Sequence, residues 1–394
     1  MAFDLVLSGP ARGEDFCFRA AFLPELWAGL KDNNTLLVAP RRMGKTSVMY
    51  HLLDHPCDNF LVVYLNAENL STPANFIIHL IQALKGAQPD YFAERLEGKL
   101  WSTEFFELEG TETPRLDWNE HWEAQATQLF GWIRKAKQPV LFVLDELPDM
   151  FLKIQNKIPE QFEPFLRWFR SAREISNSPV RWVVGGSTSL VGSLGTVEQA
   201  QWINDFYQLV LPSISNEEMK SFAGKMFKKH AVEYDGKVIP RIQELLGKGI
   251  PFYLQSMVKE LVGRWNLKKE PLTESVVDEV FEKEFLGIRM LGHLQHFHSR
   301  IGHRYPEIER AGIYDLLSHL AVAKGVDLND LFARYVKIES KRDNPRKEKQ
   351  LMQAFGRLLL LLQIDFYIED IGERKYDFSC NLLKLWWKKY YGPA

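Results

Sequence analysis

The first half of the chain is built from short apolar runs separated by stretches with helical spacing. Residues 35–38 (TLLV), 60–65 (FLVVYL), 139–145 (PVLFVLD), 180–185 (VRWVVG) and 207–211 (YQLVL) are the strand candidates. Most are almost continuously apolar, as strands buried on both faces of a parallel sheet are. Between them, residues 45–54, 74–86, 119–136 and 159–175 repeat apolar positions every three or four residues, the spacing of amphipathic helices. Strands alternating with helices predict a parallel α/β layer structure. The stretch 89–123 fits neither period. It holds ten acidic residues against three basic ones, with several aromatics, and reads as an insertion into the helical layer.

Beyond Leu211 the strand signals stop. Residues 215–300 carry amphipathic helices interrupted at 247–254 (GKGIPFYL). From about residue 306 the pattern predicts helices over 313–323, over 326–335 with Asp327 near its start, and over 347–363. The runs IDFYIED and RKYDFSC then flank the turn IGE as a β-hairpin, and NLLKLWWKKYY closes with a helix. Three helices and a hairpin outline a winged helix-turn-helix. The expected domains are therefore an α/β core over 1–212, a helical domain over 213–304 and a winged helix over 305–394. No internal repeat or low-complexity tract is visible.

A chain of 394 residues with 49 basic and 51 acidic side chains and a formal charge of −2 has no global footprint of a nucleic-acid binder or a polybasic membrane protein. Cys17, Cys57 and Cys380 are far apart and form no C-x-x-C pair, which argues against a disulfide framework and fits a reducing cytoplasm. The N-terminus, MAFDLVLSGPARGEDF, is broken by Pro, Gly and charges and does not read as a signal peptide. No apolar run approaches the roughly 20 residues that span a bilayer. A cytoplasmic protein without a membrane segment is expected.

Chemistry enters where the first strand ends. Residues 39–47 read Ala-Pro-Arg-Arg-Met-Gly-Lys-Thr-Ser, a phosphate-binding loop with alanine at the first glycine position. In such a loop backbone N–H groups wrap the phosphates and the following helix adds its positive end. Gly44 allows close backbone approach, Lys45 reaches the β/γ oxygens and the Thr46 hydroxyl ligates Mg²⁺. Pro40, Arg41, Arg42, Met43 and Ser47 complete the expected nucleotide contacts. A second element lies about 100 residues on: VLFVLDEL is an apolar strand ending in two acids. Asp145 would hold Mg²⁺, and Glu146 would orient or activate the attacking water. After the next strand, in GGSTSL, Ser187 and Thr188 are candidates for sensing the γ-phosphate.

At these residues the chain resembles the archaeal-type ATPases, which belong to the STAND branch of P-loop NTPases, close to AAA+. The resemblance rests on FLPELWAGLKDNNTLLVAPRRMGKTSVMYHL, VLFVLDEL, VRWVVGGSTSL, LPSISNEEM and GIPFYLQ, and runs from about residue 13 to 391. It implies an ATPase core, a helical lid that closes on the adenine, and a C-terminal winged helix. It also implies that the turn at 249–251 packs on the base, which gives Pro251 a nucleotide contact. RGEDFCFR, 12–19, looks like the segment flanking the base, although Cys17 stands where the family often has glycine. Arg170 and Arg173 are the candidates for an arginine finger.

The function these expectations support is an ATP-binding and slowly ATP-hydrolysing STAND-type switch that controls a protein partner or a homo-oligomer. A role in stress response or mobile-element defence follows from the resemblance alone. The alternative is an ATP-gated DNA-binding regulator or loader. The basic stretch KIESKRDNPRKEK leads into the third helix of the winged region, the usual reading helix, so Arg346, Lys347 and Lys349 would then contact phosphates. Glu339, Asp343 and Glu348 interrupt that stretch, which favours a docking surface. His293 and His296 sit three apart without an acidic or cysteine ligand at spacing, and read as a surface or interdomain pair rather than a metal site. Trp386 or Trp387 is expected to anchor the last helix.

Overall fold

The five apolar runs are the strands of one sheet in the computed structural model, which describes residues 9–57, 59–87, 118–135, 138–174, 178–186, 190, 198–342 and 344–392. The strands are β1 (Thr35–Val38), β2 (Leu61–Asn66), β3 (Val140–Asp145), β4 (Val180–Val184) and β5 (Tyr207–Val210). They pair in the order β2-β3-β4-β1-β5, every pairing parallel. β3 is buried at all six positions, five of them an unbroken apolar run and the sixth Asp145. Parallel neighbours cannot be joined by tight turns, so helices make the crossovers. α1 (Phe22–Leu30) precedes β1, and the crossovers contain α2 (Lys45–Asp54), α3 (Pro73–Ala87), α4 (Trp118–Lys135), α5 (Leu147–Lys157) and α6 (Pro159–Arg173). Most of the stretch read as an insertion lies outside the described residues.

An aromatic cluster joins the helices to the sheet. Phe142 and Trp182 are register partners on β3 and β4, with ring centroids 4.8 Å apart. Phe130 of α4 and Phe169 of α6 pack on Trp182 at 5.4 and 5.3 Å. All four are fully buried. Rings at these separations add packing energy to their large buried area. Because β4 lies between β1 and β3, the carboxyl ends of these three strands are neighbours. That is where open α/β sheets bind ligands.

Residues 9–212 form one compact unit, and the chain from Ser213 onward belongs to a second. The second unit opens with α7 (Asn216–Lys229), α8 (Val238–Leu246), α9 (Pro251–Lys268) and α10 (Glu274–Val280), followed by a π turn over Phe281–Phe285 and α11 (Ile288–Arg304). α7 begins with a reciprocal cap: Glu218 N–H donates to Ser215 Oγ, and Ser215 N–H to Glu218 Oε2. Gly249 pairs with Ile214, whose N–H donates to the Gly249 carbonyl at 2.9 Å. A Cβ on Gly249 would stand 2.1 Å from the Ile214 carbonyl oxygen, so only glycine fits. Pro251 follows at the start of α9, where its missing N–H costs nothing.

The C-terminal elements are α12 (Glu307–Val322), β6 (Val326–Asp327), α13 (Leu328–Glu339), α14 (Glu348–Ile364), β7 (Ile368–Asp370), β8 (Lys375–Phe378) and α15 (Asn381–Tyr391). The three strands form an antiparallel sheet in the order β6-β8-β7. Val326 and Asp327, expected to open a helix, instead pair with β8, and Asp327 caps α13 by accepting from Asn329 N–H at 2.8 Å. The first hairpin strand is shorter than IDFYIED because α14 runs on to Ile364 and Phe366 turns the chain at φ 60°. Trp386 and Trp387 are both fully buried in α15. His293 lies edge-on to Phe252 at 4.9 Å. Among the described residues no group of three or more His, Cys, Asp or Glu could hold a metal, and no helix is long and apolar enough to cross a membrane.

Arg346 is not the exposed phosphate contact that its charge invites one to expect. It ion-pairs with Glu309 of α12 and Glu339 of α13 and donates to the Tyr335 hydroxyl at 2.8 Å. These partners fix the start of α14 against α12 and α13.

Candidate functional site

The loop from β1 to α2 is shaped by two residues with positive φ, Arg42 at 70° and Gly44 at 88°. Among the described residues nothing comes closer than 4.0 Å to a Cβ at Gly44, and glycine serves the left-handed turn there. Ala39 and Met43 bury their side chains in the core, Pro40 and Arg41 are half-buried, and Arg42 is exposed. α2 starts at Lys45, and its first-turn N–H groups are the kind left unpaired within a helix. The Lys45 ammonium is buried and bridges the loop, donating to the carbonyls of Ala39 (2.6 Å) and Pro40 (3.1 Å). Ser47 Oγ accepts from Ala11 N–H at 2.9 Å, which ties the N-terminal segment to α2.

Asp145, at the end of β3, is 2% exposed, and its carboxylate gathers three donors. Oδ2 accepts from the Thr46 hydroxyl at 2.7 Å and from the Tyr64 hydroxyl of β2 at 3.4 Å; Oδ1 accepts from Glu146 N–H at 3.0 Å. Burial, then the nearby Asp145 carboxylate, push the Tyr64 hydroxyl well above its ordinary pKa, so it remains a donor. Tyr50 of α2 packs against the Tyr64 ring at 4.7 Å. Glu146 caps α5 in the left-handed conformation at φ 55°, a strained geometry for a residue with a Cβ. Gly185 and Gly186 follow β4. A Cβ at Gly185 would meet Met49 at 2.7 Å; at Gly186 it would meet Pro148 at 2.6 Å and Glu146 Oε2 at 3.2 Å. Glycine at 185 thus leaves room for Met49, and glycine at 186 keeps a side chain away from Pro148 and the Glu146 carboxylate.

Arg19 belongs to the site as well. It is 4% exposed and donates to the Met43 carbonyl and to the Pro212 carbonyl, each at 2.7 Å. Holding the Met43 carbonyl fixes the planar peptide that carries the Gly44 N–H. Its partners are backbone carbonyls distant in sequence, so no spacing rule reveals it. The only signal was its place at the end of RGEDFCFR. In the same segment Arg12 pairs with Asp54 and lies 4.6 Å over the Tyr50 ring, and Phe16 stacks on His51 at 4.5 Å.

The structure thus brings Lys45, Thr46, Asp145 and Glu146 together at the carboxyl edge of the sheet. Ser187 and Thr188 lie outside the described residues. Pro251 belongs to the second unit. Arg173 is buried, bonded twice to Asp205 and once to the Trp202 carbonyl, and packed between Phe169 and Phe206. Arg170 bonds Glu174 and the Gln201 carbonyl. Both arginines are structural members of the first unit. Chemically, a helix N-terminus with an ammonium favours an anion, and the adjoining hydroxyl and carboxylate offer hard oxygens to a divalent cation.

The chain matches no protein-family model and no curated protein sequence. Solved structures do resemble it. A Walker-type ATPase of Pyrococcus abyssi is 16% identical over 97% of this chain and 99% of that one, with a TM-score of 0.63. The ORC2 protein of Aeropyrum pernix, solved with ADPNP and ADP, is 13% identical over 91% and 86%, with a TM-score of 0.48. The RuvB Holliday junction branch migration motor of Thermotoga maritima is 14% identical over 90% of each chain, at 0.38. The likeness to the Pyrococcus abyssi protein spans both units, and with the all-parallel sheet and the loop before α2 it gives this chain the fold of a P-loop ATPase.

Proposed function

We propose that the chain binds ATP with Mg²⁺ at the loop before α2 and hydrolyses it, and that nucleotide state sets its assembly or its hold on a protein partner. The hydrogen bond from Thr46 to Asp145 carries this reading, because it brings a hydroxyl from the first turn of α2 and a carboxylate from the end of β3 to one point. Two hard oxygen donors suit Mg²⁺, which keeps waters and binds mainly through substrate phosphates rather than in an all-protein cage. When bound, Mg²⁺ neutralises charge on the β- and γ-oxygens.

The chain's own groups then have distinct tasks. The N–H groups of the loop and first turn of α2, with Arg41 and Arg42 nearby, receive the phosphates. Lys45 exchanges its loop carbonyls for phosphate oxygens. Thr46 and Asp145 hold the metal, and Tyr64 keeps the Asp145 carboxylate in place. Glu146, in the space left by Gly186, accepts hydrogen bonds from the attacking water and takes its proton. Ser187 is retained as the γ-phosphate sensor and Pro251 as an adenine contact, on resemblance alone.

In the second unit we read 213–304 as the helical lid and 305–394 as a winged helix. The order α12, β6, α13, α14, β7, β8 supports the latter. The output we assign to it is docking rather than DNA contact, since Arg346 is already paired. The test is Glu146→Gln, assayed for ATP binding by calorimetry and for phosphate release. Binding should persist while turnover falls at least tenfold. A wild-type protein that binds no ATP, or a variant that turns over at the wild-type rate, would overturn this assignment.

A further inference from the structure

α14 presents an apolar stripe to solvent. Met352, Gly356 and Leu360 are spaced four apart on one face, and Met352 and Leu360 are 60% and 55% exposed. Among the described residues nothing comes within 4 Å of a Cβ at Gly356, which leaves room there for another backbone to approach closely. Lys349 and Arg357 flank the stripe; both are exposed and, among the described residues, in no ion pair. Beside it lies a cavity of about 290 Å³ whose walls include Ala354, Leu358, Leu361 and Arg357. A cavity of roughly 150 Å³ already holds benzene, so this one has the volume for an aromatic ring. Glu309, also in its wall, is neutralised by Arg346 and accepts from Tyr335, which leaves Arg357 as the uncompensated charge.

This chemistry selects among occupants. Lys349, Gln353 and Arg357 could contact nucleic acid, but the middle of the exposed face, Met352, Gly356 and Leu360, offers no hydrogen-bonding side chain to base edges. A second α14 packed antiparallel about Gly356 would set Arg357 against its own copy, and like charges in an interface are costly. The face instead fits a segment with aromatic side chains between carboxylates. The chain itself carries one: residues 104–109, outside the described residues, read Glu-Phe-Phe-Glu-Leu-Glu.

We propose that the exposed face of α14 docks the acidic, aromatic segment 104–109 of a second copy of this chain, with a phenylalanine in the cavity and a glutamate on Arg357. This deepens the assembly part of the function proposed above and does not depend on nucleotide binding, which is measured in parallel so that the two can fail separately.

The test uses the full chain and two variants, Arg357→Glu and the triple Glu104→Lys, Glu107→Lys, Glu109→Lys, each first checked for an unchanged unfolding midpoint. A labelled peptide of residues 101–113 should bind the wild type saturably in an anisotropy titration, about tenfold more weakly Arg357→Glu, and nearly normally Arg357→Lys. In sedimentation velocity, the wild type should self-associate with concentration and each charge variant should not. An equimolar mixture of the two variants should associate again, because each then meets the charge it needs on the other. No peptide binding, or equal binding to Arg357→Glu, overturns the proposal. So does peptide binding without recovery in the mixture, which would mean docking within one copy. Salt-sensitive duplex DNA binding that Arg357→Glu abolishes would assign the face to nucleic acid instead.

Discussion

Replacing Lys45 with methionine isolates the charge of the phosphate loop from its packing. The side chain is 7% exposed, so alanine would leave a gap in the loop as well as remove the ammonium. Methionine keeps an unbranched stem of similar length. A hydrogen bond from a charged donor contributes about 1.5–3 kcal/mol net. Lys45, however, already donates to the Ala39 and Pro40 carbonyls, so binding exchanges partners rather than recruiting an idle ammonium. The gain is then nearer the lower end, about 1.5–2 kcal/mol, which is roughly 10- to 30-fold in Kd. Because the two carbonyls can turn to water or to loop N–H groups, folding stability should change by only about 1 kcal/mol. Calorimetry with ATP and Mg²⁺ measures the first quantity and urea unfolding without nucleotide the second. An unchanged Kd would refute the phosphate assignment. A large loss of stability with unchanged affinity would make Lys45 a structural bridge only.

Arg19→Gln removes a buried guanidinium from the Met43 and Pro212 carbonyls, and at roughly 1.5 kcal/mol for each bond the first unit should lose about 3 kcal/mol. Hydrogen exchange should speed up at Gly44, with ATP affinity lower about tenfold; unchanged exchange there would disprove the clamp. Gly249→Ala forces a Cβ to 2.1 Å from the Ile214 carbonyl, so the Ile214–Gly249 pairing must open. Urea unfolding of the second unit should show a loss of about 2–4 kcal/mol, and an unshifted midpoint would contradict that geometry.

The parallel sheet was legible because burial on both faces writes itself as continuous apolar runs, and the ends of β1 and β3 because Lys45, Thr46 and Asp145 sit in a motif with fixed spacing. Other features left no such trace. α5 was missed because Asp145 and Glu146 read as the end of a strand, and its first turn carries Pro148. β6 has two residues, too few for any period. Arg19 bonds carbonyls 24 and 193 residues away, and backbone acceptors have no residue signature. Arg346 reads as a phosphate contact in the DNA-binding alternative because a sequence counts charges but does not pair them; Glu309 and Glu339 come to it only through the packing of α12 and α13.

The strand order also sets a timetable for synthesis. β1 begins at Thr35, but its two neighbours are β4 and β5, so the strand that carries the phosphate loop has no partner until residues 180–184 and 207–210 have been made. β2 and β3 can pair with each other earlier. A chain emerging from the ribosome therefore holds an unpaired, apolar β1 for more than a hundred residues, the sort of exposed edge on which aggregation starts. The Arg19 bond to Pro212 can close only once residue 212 has also been made. Fragments ending before residue 212 should thus be poor substrates for folding and should need chaperone cover even though they contain every residue of the loop itself.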